Sequence, residues 1–173
     1  MKSKRIAVDM DGVMADVTAQ FLKWQQMETG VFKTLDEIDG LEDGIAFPNY
    51  REWVNTEGFF RTMPLMIDSQ RVMEVLNQRY EIFIVSAATE FPISLTEKQA
   101  WLGEHFPFIS WRQMCFCGSK TIIKADIMID DHFKNLNYFD GKTLLFTAPH
   151  NTKADVGRHE RVNSWLEIEK ILL

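Results

Sequence analysis

Two pairs of aspartates carry the strongest chemical signal in this sequence. Asp9 and Asp11 follow one short apolar run, and Asp130 and Asp131 follow another. Carboxylates held close together raise each other's pKa unless a cation lies beside them. Hard divalent ions such as Mg²⁺ take oxygen ligands, and carboxylates are prominent among these. The two pairs therefore predict a Mg²⁺ site, provided that the fold brings both pairs to one place.

Gly12 bears on what the first pair can do, because glycine readily adopts the turn that folds Asp11 back towards Asp9. An Asp-x-Asp-Gly sequence also occurs in ordinary turns and at the start of calcium loops. The glycine of a calcium loop is its sixth residue, whereas Gly12 is the fourth from Asp9, and no helical pattern precedes it. This excludes a calcium loop and leaves a solvated turn as the alternative to a metal site.

A hydroxyl and a lysine follow two further apolar runs. Ser86 comes directly after the apolar run 82–85, and Lys120 follows the run that contains the two cysteines. Backbone N–H groups beside a small residue can approach an anion closely, and a lysine ammonium suits a phosphoryl oxygen. Either residue alone is more often a helix N-cap or a solvated surface group. Their order along the chain, between the two acid pairs, is what favours a phosphate site.

Short β-type runs alternate with helical patterns through most of the chain, which predicts an α/β fold with a Rossmann-like parallel sheet core. The predicted strands are residues 5–9, 81–86, 113–117, 127–130 and 143–146. Further helices are predicted to begin after Asp68 and after Ser164, where polar residues precede periodic apolar stretches. Open α/β sheets bind ligands at the carboxyl ends of their strands, and the acid pairs stand at two of these ends.

The chain between the first two predicted strands is far longer than the dozen or so residues that a simple crossover needs. Residues 17–29 read as a helix that ends at Gly30, and Thr34 and Glu37 fit a capping box. Pro48 is predicted to open a short helix that stops near Gly58.

We therefore expect a small helical cap, residues 17–61, inserted after the first strand. The core is then formed by residues 1–16 and 62–173.

Composition limits the class of protein. The chain has 173 residues, 46% of them hydrophobic, and a net charge of −6, which suits one globular domain without a basic field for a nucleic-acid polymer. No apolar run approaches the roughly 20 residues that span a bilayer. Asp9 and Asp11 would interrupt the apolar segment of a signal peptide. We expect a cytoplasmic protein that does not bind membranes.

The remaining potential metal ligands form no recognisable pattern. Cys115 and Cys117 are too close to bridge easily and too few for a zinc site, so we expect reduced thiols. The histidines stand apart in the sequence, and none has metal-ligand spacing. We expect His150 and Asn151 to brace a loop rather than to catalyse.

The four motifs, taken in this order, closely resemble those of haloacid dehalogenase-like phosphohydrolases. They are Asp9-Met-Asp-Gly-Val13, Ser86, Lys120 and Asp130-Asp131. Within that superfamily the sequence is most similar to the 5′(3′)-deoxyribonucleotidases, and the resemblance spans nearly the whole chain. The similar segments are residues 9–16, 58–60, 120–131 and 146–151. The resemblance implies a haloacid dehalogenase-like core with a small helical cap.

The same resemblance implies a Mg²⁺-dependent phosphomonoesterase that acts on deoxyribonucleoside monophosphates through an aspartyl-phosphate intermediate. Asp9 would be the nucleophile. Asp11 would protonate the departing ribose oxygen and then activate the water that cleaves the acyl-phosphate.

The resemblance also implies ligands for the metal and the phosphate. Mg²⁺ would be held by Asp9, by the backbone carbonyl of Asp11 and by Asp131, with Asp130 in a supporting role. Ser86 and Lys120 would bind the phosphate.

The cap is expected to select the substrate, with Phe59 and Phe60 as the leading candidates for an aromatic face against the base, and with the residue match to the family favouring Phe60. Animal members of the family tend to have an aromatic residue against the base where this chain has Val17, so the base preference stays open. Phe21, Trp24 and Trp53 are expected to be core residues.

Alternatives to a nucleotide substrate are another small phosphomonoester, such as a sugar phosphate or a cofactor, and a binding domain without catalysis. Dehalogenation, which also uses an aspartate nucleophile in this superfamily, is disfavoured because it does not use the second acid and the metal cluster. The sequence does not decide whether two copies form a homodimer.

Overall fold

The protein is built on one parallel sheet in a computed structural model that describes residues 4–173. Residues 1–3, which open the predicted core segment, lie outside the described residues. Within the described residues the strands are β1 (Arg5–Val8), β2 (Glu81–Ser86), β3 (Met114–Phe116), β4 (Ile127–Asp130), β5 (Lys142–Phe146) and β6 (Glu160–Val162). They lie in the order β3-β2-β1-β4-β5-β6, and every neighbouring pair is parallel. The predicted parallel sheet is confirmed.

Helices flank the strands along the chain. They are α1 (Val17–Thr29), α2 (Leu35–Ile38), α3 (Asp43–Ala46), α4 (Tyr50–Trp53), α5 (Ser69–Asn77), α6 (Pro92–His105), α7 (Phe133–Leu136) and α8 (Trp165–Leu172). Short 3₁₀ helices lie between them, one of which begins at Lys120. Among residues 4–173, no helix combines the length and the apolar character needed to cross a bilayer.

The predicted strands all form, and their ends differ from the prediction by at most one residue. β1 ends at Val8, so Asp9 lies already in the loop rather than in the strand. β6 is not predicted because two of its three residues, Glu160 and Arg161, are charged and leave no apolar run.

Local signals also predict several helix ends. α1 ends at Gly30, whose φ of 71° is the left-handed conformation that glycine adopts without strain. The capping box of Thr34 and Glu37 is present at α2. The short helix predicted to open at Pro48 does form, but its predicted ends are wrong: a turn precedes it, with Tyr50 N–H donating to the carbonyl of Phe47 at 3.0 Å, and the helix is α4, Tyr50–Trp53.

Three further helices, α3, α6 and α7, are not predicted. α3 and α7 are single turns. The buried face of α6 mixes polar residues with apolar ones, including Ser94, Glu97 and Lys98 beside Trp101, so it shows no continuous apolar stripe.

Both faces of the sheet are covered. Ile6 and Val8 of β1 belong to one apolar core, and Ala7 between them belongs to another. The first core includes Val72 of α5 and Trp165 of α8. Successive residues of a strand point to opposite faces, so a strand covered on both sides is apolar throughout.

The segment between β1 and β2 leaves the core and returns to it at one place. Asp16 N–H donates to the carbonyl of Pro64, and Met66 N–H donates to that of Met14, both at 2.8 Å. All of α1 to α4 lies within this segment. The paired crossing supports our proposal that residues 17–61 form a cap.

Candidate active site

The carboxyl ends of three adjacent strands carry the predicted groups. Asp9 comes directly after β1, Ser86 is the last residue of β2, and Asp130 is the last residue of β4. β1 lies between β2 and β4 in the sheet. Asp9 N–H also donates to the carbonyl of Ile129 at 2.9 Å, which continues the pairing one residue beyond the strand. These residues therefore share one edge of the sheet.

The turn after Asp9 needs glycine for two reasons. Gly12 has a φ of 76°, in the left-handed region. A Cβ at this position would lie 2.4 Å from Oδ2 of Asp131. The first acid pair can approach the last one only because no side chain stands between them.

Lys120 joins the two acid pairs. Its Nζ lies 2.6 Å from Oδ1 of Asp9 and 2.6 Å from Oδ2 of Asp130. Burial by itself lowers the pKa of the Lys120 ammonium, but the charges of Asp130 and Asp9 outweigh burial and raise that pKa above its ordinary value. The lysine therefore stays charged at neutral pH.

The second acid pair divides into one bonded carboxylate and one open carboxylate. Asp130 Oδ1 accepts from the backbone N–H of His132 and from Nδ2 of Asn135, both at 2.9 Å, while its other oxygen meets Lys120. Asp131 Oδ1 is buried without a hydrogen-bond partner among the described residues. Buried polar atoms are nearly always partnered, so Asp131 offers the freer ligand for a cation.

Burial raises the pKa of two of these acids, Asp9 and Asp131, as expected of carboxylates grouped to bind a cation. Burial and the negative charge of Asp130 raise the pKa of Asp9 from 3.8 to about 8. The same two causes raise the pKa of Asp131 to about 7. Carboxylate oxygens of Asp9, Asp130 and Asp131 lie within 4.8 Å of one another, close enough to bind a single ion. A divalent cation would offset this repulsion, and the all-oxygen donor set suits Mg²⁺.

Two histidines lie beside Asp131. The rings of His132 and His150 stack with centroids 4.2 Å apart, and His150 Nε2 lies 3.0 Å from the carbonyl oxygen of Asp131. Asn151 Nδ2 donates to the same oxygen at 2.8 Å. His150 and Asn151 therefore both hold the backbone of the loop after β4, and His150 also lines the cavity described below.

The spacing of the histidines in the sequence did not indicate a metal site, but the fold places His132 and His150 beside Asp131. Each of Asp131, His132 and His150 offers one potential ligand atom within 4.8 Å of the others.

Lys98 of α6 is a site residue that sequence reasoning missed. Its Nζ lies 2.5 Å from Oδ2 of Asp11 and 2.9 Å from Oγ of Ser86. The side chain is buried. Lys98 stands four residues after Ser94 and three before Trp101, so helical spacing places all three on one face. That spacing is the signal that could have found it.

A cavity of about 420 Å³ opens over these groups. Asp9, Asp11 and Asp131, together with Ser86 and the two buried lysines, line one part of it. Apolar and aromatic side chains line a second part, and further charged and polar groups, including Asp43, Glu90 and His150, line the rest. The predicted base-pocket residues Phe60 and Val17 both line it, as does Phe21. The volume is that of a small-molecule site.

Phe21 also belongs to a packed aromatic cluster of the inserted segment, in which Phe59 is fully buried and does not line the cavity. Phe21 lies 5.2 Å from Phe47 and 5.1 Å from Phe59 between ring centroids. Trp53 is buried, and Trp24 packs edge-on against Phe59 at 5.4 Å.

A larger depression, of about 690 Å³, lies at the amino ends of the strands. Its charged residues include Arg5, Glu81 and Asp126, and Arg5 is hydrogen-bonded to both acids. It holds none of the acid pairs, so the smaller cavity is the candidate active site.

The chain is similar to a family of known proteins over almost all of its length. The family model described as "5′ nucleotidase, deoxy (Pyrimidine), cytosolic type C protein" matches residues 3–173. The 5′(3′)-deoxyribonucleotidase of Bacillus subtilis is 39% identical over 179 residues, which cover 98% of this chain and 99% of that protein. A Staphylococcus aureus relative is 36% identical over 177 residues, covering 100% of this chain and 97% of its own.

Solved structures resemble the fold at low sequence identity. A haloacid dehalogenase-like hydrolase from Streptococcus pneumoniae matches with a TM-score of 0.63 and 13% identity, covering 99% of both chains. A hydrolase of the same superfamily from Bacillus subtilis, solved bound to magnesium, matches with a TM-score of 0.60 and 12% identity, also covering 99% of both chains. These matches show a haloacid dehalogenase-like fold.

Proposed function

Since the chain belongs to the 5′ nucleotidase, deoxy (pyrimidine), cytosolic type C family, we propose that it dephosphorylates deoxyribonucleoside monophosphates with Mg²⁺. It is a phosphoric monoester hydrolase of the 5′-nucleotidase type. The cytosolic description of the family supports the predicted cytoplasmic location. Sedimentation measures directly whether two copies form a homodimer.

One observation carries the proposal: Asp9 presents one free carboxylate oxygen to a pocket that also holds two buried lysines. Asp9 Oδ1 accepts from Met10 N–H at 2.7 Å and from Lys120 Nζ at 2.6 Å. Both of these contacts are made by Oδ1, and within residues 4–173 Oδ2 has no hydrogen-bond or ion-pair partner. An oriented carboxylate with one open oxygen is suited to nucleophilic attack.

In the first step Oδ2 of Asp9 attacks phosphorus as the bond from phosphorus to the ribose oxygen breaks. Asp11 donates a proton to that departing oxygen, so the nucleoside leaves neutral. Asp11 lies at the mouth of the turn with Oδ2 held by Lys98. The product of this step is an aspartyl-phosphate on Asp9.

In the second step Asp11 takes a proton from a water molecule, which attacks the phosphorus of the aspartyl-phosphate. The acyl-phosphate bond breaks, and the electron pair returns to the Asp9 carboxylate. The water proton remains on Asp11, which is then ready for the next ester. Acid and base work therefore alternate on one side chain.

Positive groups offset the charge that the phosphoryl oxygens carry in both steps. Lys120, Lys98 and the hydroxyl of Ser86 are buried around Asp9 and can each donate to an oxygen of the transferred group. Asp131 Oδ1, Asp9 and the carbonyl of Asp11 would hold Mg²⁺, since the unpartnered Asp131 oxygen fits a cation. When bound, the ion would supply further neutralisation of the phosphoryl charge.

The aromatic part of the cavity supports a nucleoside as the leaving group. Phe60 lines the cavity and packs against Phe91, with ring centroids 6.3 Å apart and planes 27° apart. Val17, at the start of α1, leaves more room than an aromatic residue would. Phe60 is buried, so a base would meet only the part of its ring that lines the cavity while the phosphate reaches Asp9.

A panel of phosphomonoesters tests the proposal. We expect the wild-type protein with Mg²⁺ to turn over deoxyribonucleoside monophosphates faster than sugar phosphates or phosphorylated cofactors. The Asp9→Asn protein is the blank, because it lacks the nucleophile at nearly equal volume. A preference for a sugar phosphate or a cofactor would replace the nucleotide assignment with the alternative of another small phosphomonoester.

A further inference from the structure

The peptide bond between Phe59 and Phe60 is held from both sides. The carbonyl oxygen of Phe59 accepts from Nε2 of Gln20 at 2.6 Å. The N–H of Phe60 donates to Oε2 of Glu97 at 3.0 Å. Gln20 belongs to α1 in the inserted segment and Glu97 to α6 of the core. One peptide unit next to the cavity is thus fixed by both parts of the molecule.

Glu97 holds more than this one peptide. Its Oε1 accepts from Gly58 N–H at 2.6 Å, and its Oε2 also accepts from Arg61 N–H at 3.0 Å. The side chain is buried, and it forms no ion pair with any residue of the part of the chain that the structure describes. A buried carboxylate is costly unless donors satisfy it, so the three backbone N–H groups explain why it is tolerated.

The turn that Glu97 holds carries the aromatic wall of the cavity. The ring centroid of Phe60 lies 4.6 Å from Nζ of Lys98, the residue that follows Glu97. Lys98 in turn bonds to Asp11 and Ser86 at the phosphate end. Glu97 and Lys98, which are consecutive in α6, therefore set the distance between the Phe60 ring and the side chains that bind the phosphate.

We propose that Glu97 is a positioning residue that sets the selectivity for the nucleoside part of the substrate. It acts through the backbone of residues 58–61 and places Phe60, without contacting the substrate itself. This inference rests on the proposed nucleotidase function, in which a base packs against the part of the Phe60 ring that lines the cavity. Weakening the hydrogen bonds of Glu97 lets the Phe60 ring move, while the side chains that bind the phosphate keep their own hydrogen bonds.

Gln20 serves the same peptide from the other side. It is fully buried, donates to Phe59 and also to Oγ1 of Thr62 at 2.8 Å, and leaves its own Oε1 without a partner among the described residues. A buried amide that leaves its oxygen unpaired is destabilising, so its two donated bonds are what it contributes. Gln20 offers a second, independent way to loosen the same peptide.

The experiment compares two substrates that differ only by the base, thymidine 5′-monophosphate and 2-deoxyribose 5-phosphate. The measured quantity is the ratio of their kcat/KM values, for wild type and Glu97→Gln. We expect this ratio to fall about tenfold in Glu97→Gln, mainly through KM for the nucleotide, as for the weakening of one base–aromatic stack.

Glu104→Gln is the matched control. It removes the same charge from the same helix, and Glu104 is exposed and lies beside the guanidinium of Arg61 and the ring of His105, away from the backbone N–H groups that Glu97 holds. We expect it to keep the wild-type ratio. An equal loss for both substrates in Glu97→Gln, or no change in the ratio, overturns the inference.

If Glu97→Gln does not fold, Gln20→Met decides: a lowered ratio supports the inference and an unchanged ratio overturns it. The wild-type protein tests the proposed function separately. A wild-type ratio near one shows that the base is not recognised at all, whichever variants are made.

Discussion

Replacing Asp9 with asparagine is expected to stabilise the protein in the absence of metal. Asp9 is buried beside Asp130, and burial with that charge raises its pKa from 3.8 to about 8. At pH 7 the folded protein therefore binds a proton at Asp9 that the unfolded chain releases. Ionisation of the unfolded chain favours unfolding, and asparagine removes this contribution at nearly the same volume.

The size of the effect depends on pH. The pKa of Asp9 is about 8 in the folded state and 3.8 in the unfolded state. At pH 7 the folded protein keeps the proton, while the pH lies roughly three units above the pKa of the unfolded chain. At 1.36 kcal/mol a unit this is up to about 4 kcal/mol of unfolding free energy. At pH 5 only about one such unit remains, or roughly 1 to 2 kcal/mol. The advantage of Asp9→Asn should thus grow from pH 4 to pH 8 and then level off.

Urea unfolding at pH 5 and pH 7, with EDTA or with MgCl₂, measures this directly. With EDTA we expect Asp9→Asn to be the more stable protein, by a larger margin at pH 7. With MgCl₂ we expect the wild type to gain more than the variant, because an ion that binds the folded state stabilises it. A variant that is less stable than wild type in EDTA at pH 7, or a margin that does not grow with pH, would refute the account of a repulsive acid cluster.

Two substitutions test other parts of the site. Lys98→Met removes the ammonium that meets Asp11 and Ser86, and steady-state kinetics should show kcat/KM lowered about 30- to 100-fold, the value of a charged hydrogen bond in the transition state. Lys23→Met, at an exposed position of α1, is its control, and equal effects of the two would contradict the assignment. Gly12→Ala places a methyl group 2.4 Å from Asp131 Oδ2 on a left-handed backbone, so calorimetry should show weaker Mg²⁺ binding and a lower Tm; an unchanged Mg²⁺ affinity would show that this close approach does not shape the metal site.

Much of the sheet could be predicted because its signals are local. Parallel strands covered on both faces are apolar throughout, so β1, β2 and β4 stand out from the polar residues after them. Helix caps are equally local, as Gly30 shows at the end of α1. β6 escaped prediction because a short edge strand with charged residues lacks such a run.

The sequence by itself determined that two acid pairs, a serine and a lysine follow the strands of a parallel sheet, since the end of an apolar run marks the end of a strand. Only the tertiary structure decided that Lys98 reaches Asp11, 87 positions away, and that Glu97 holds the backbone of Phe60. Such contacts depend on the height and rotation at which α6 packs beside the strands. No local pattern encodes that docking, because it follows from the packing of side chains that are distant in the chain.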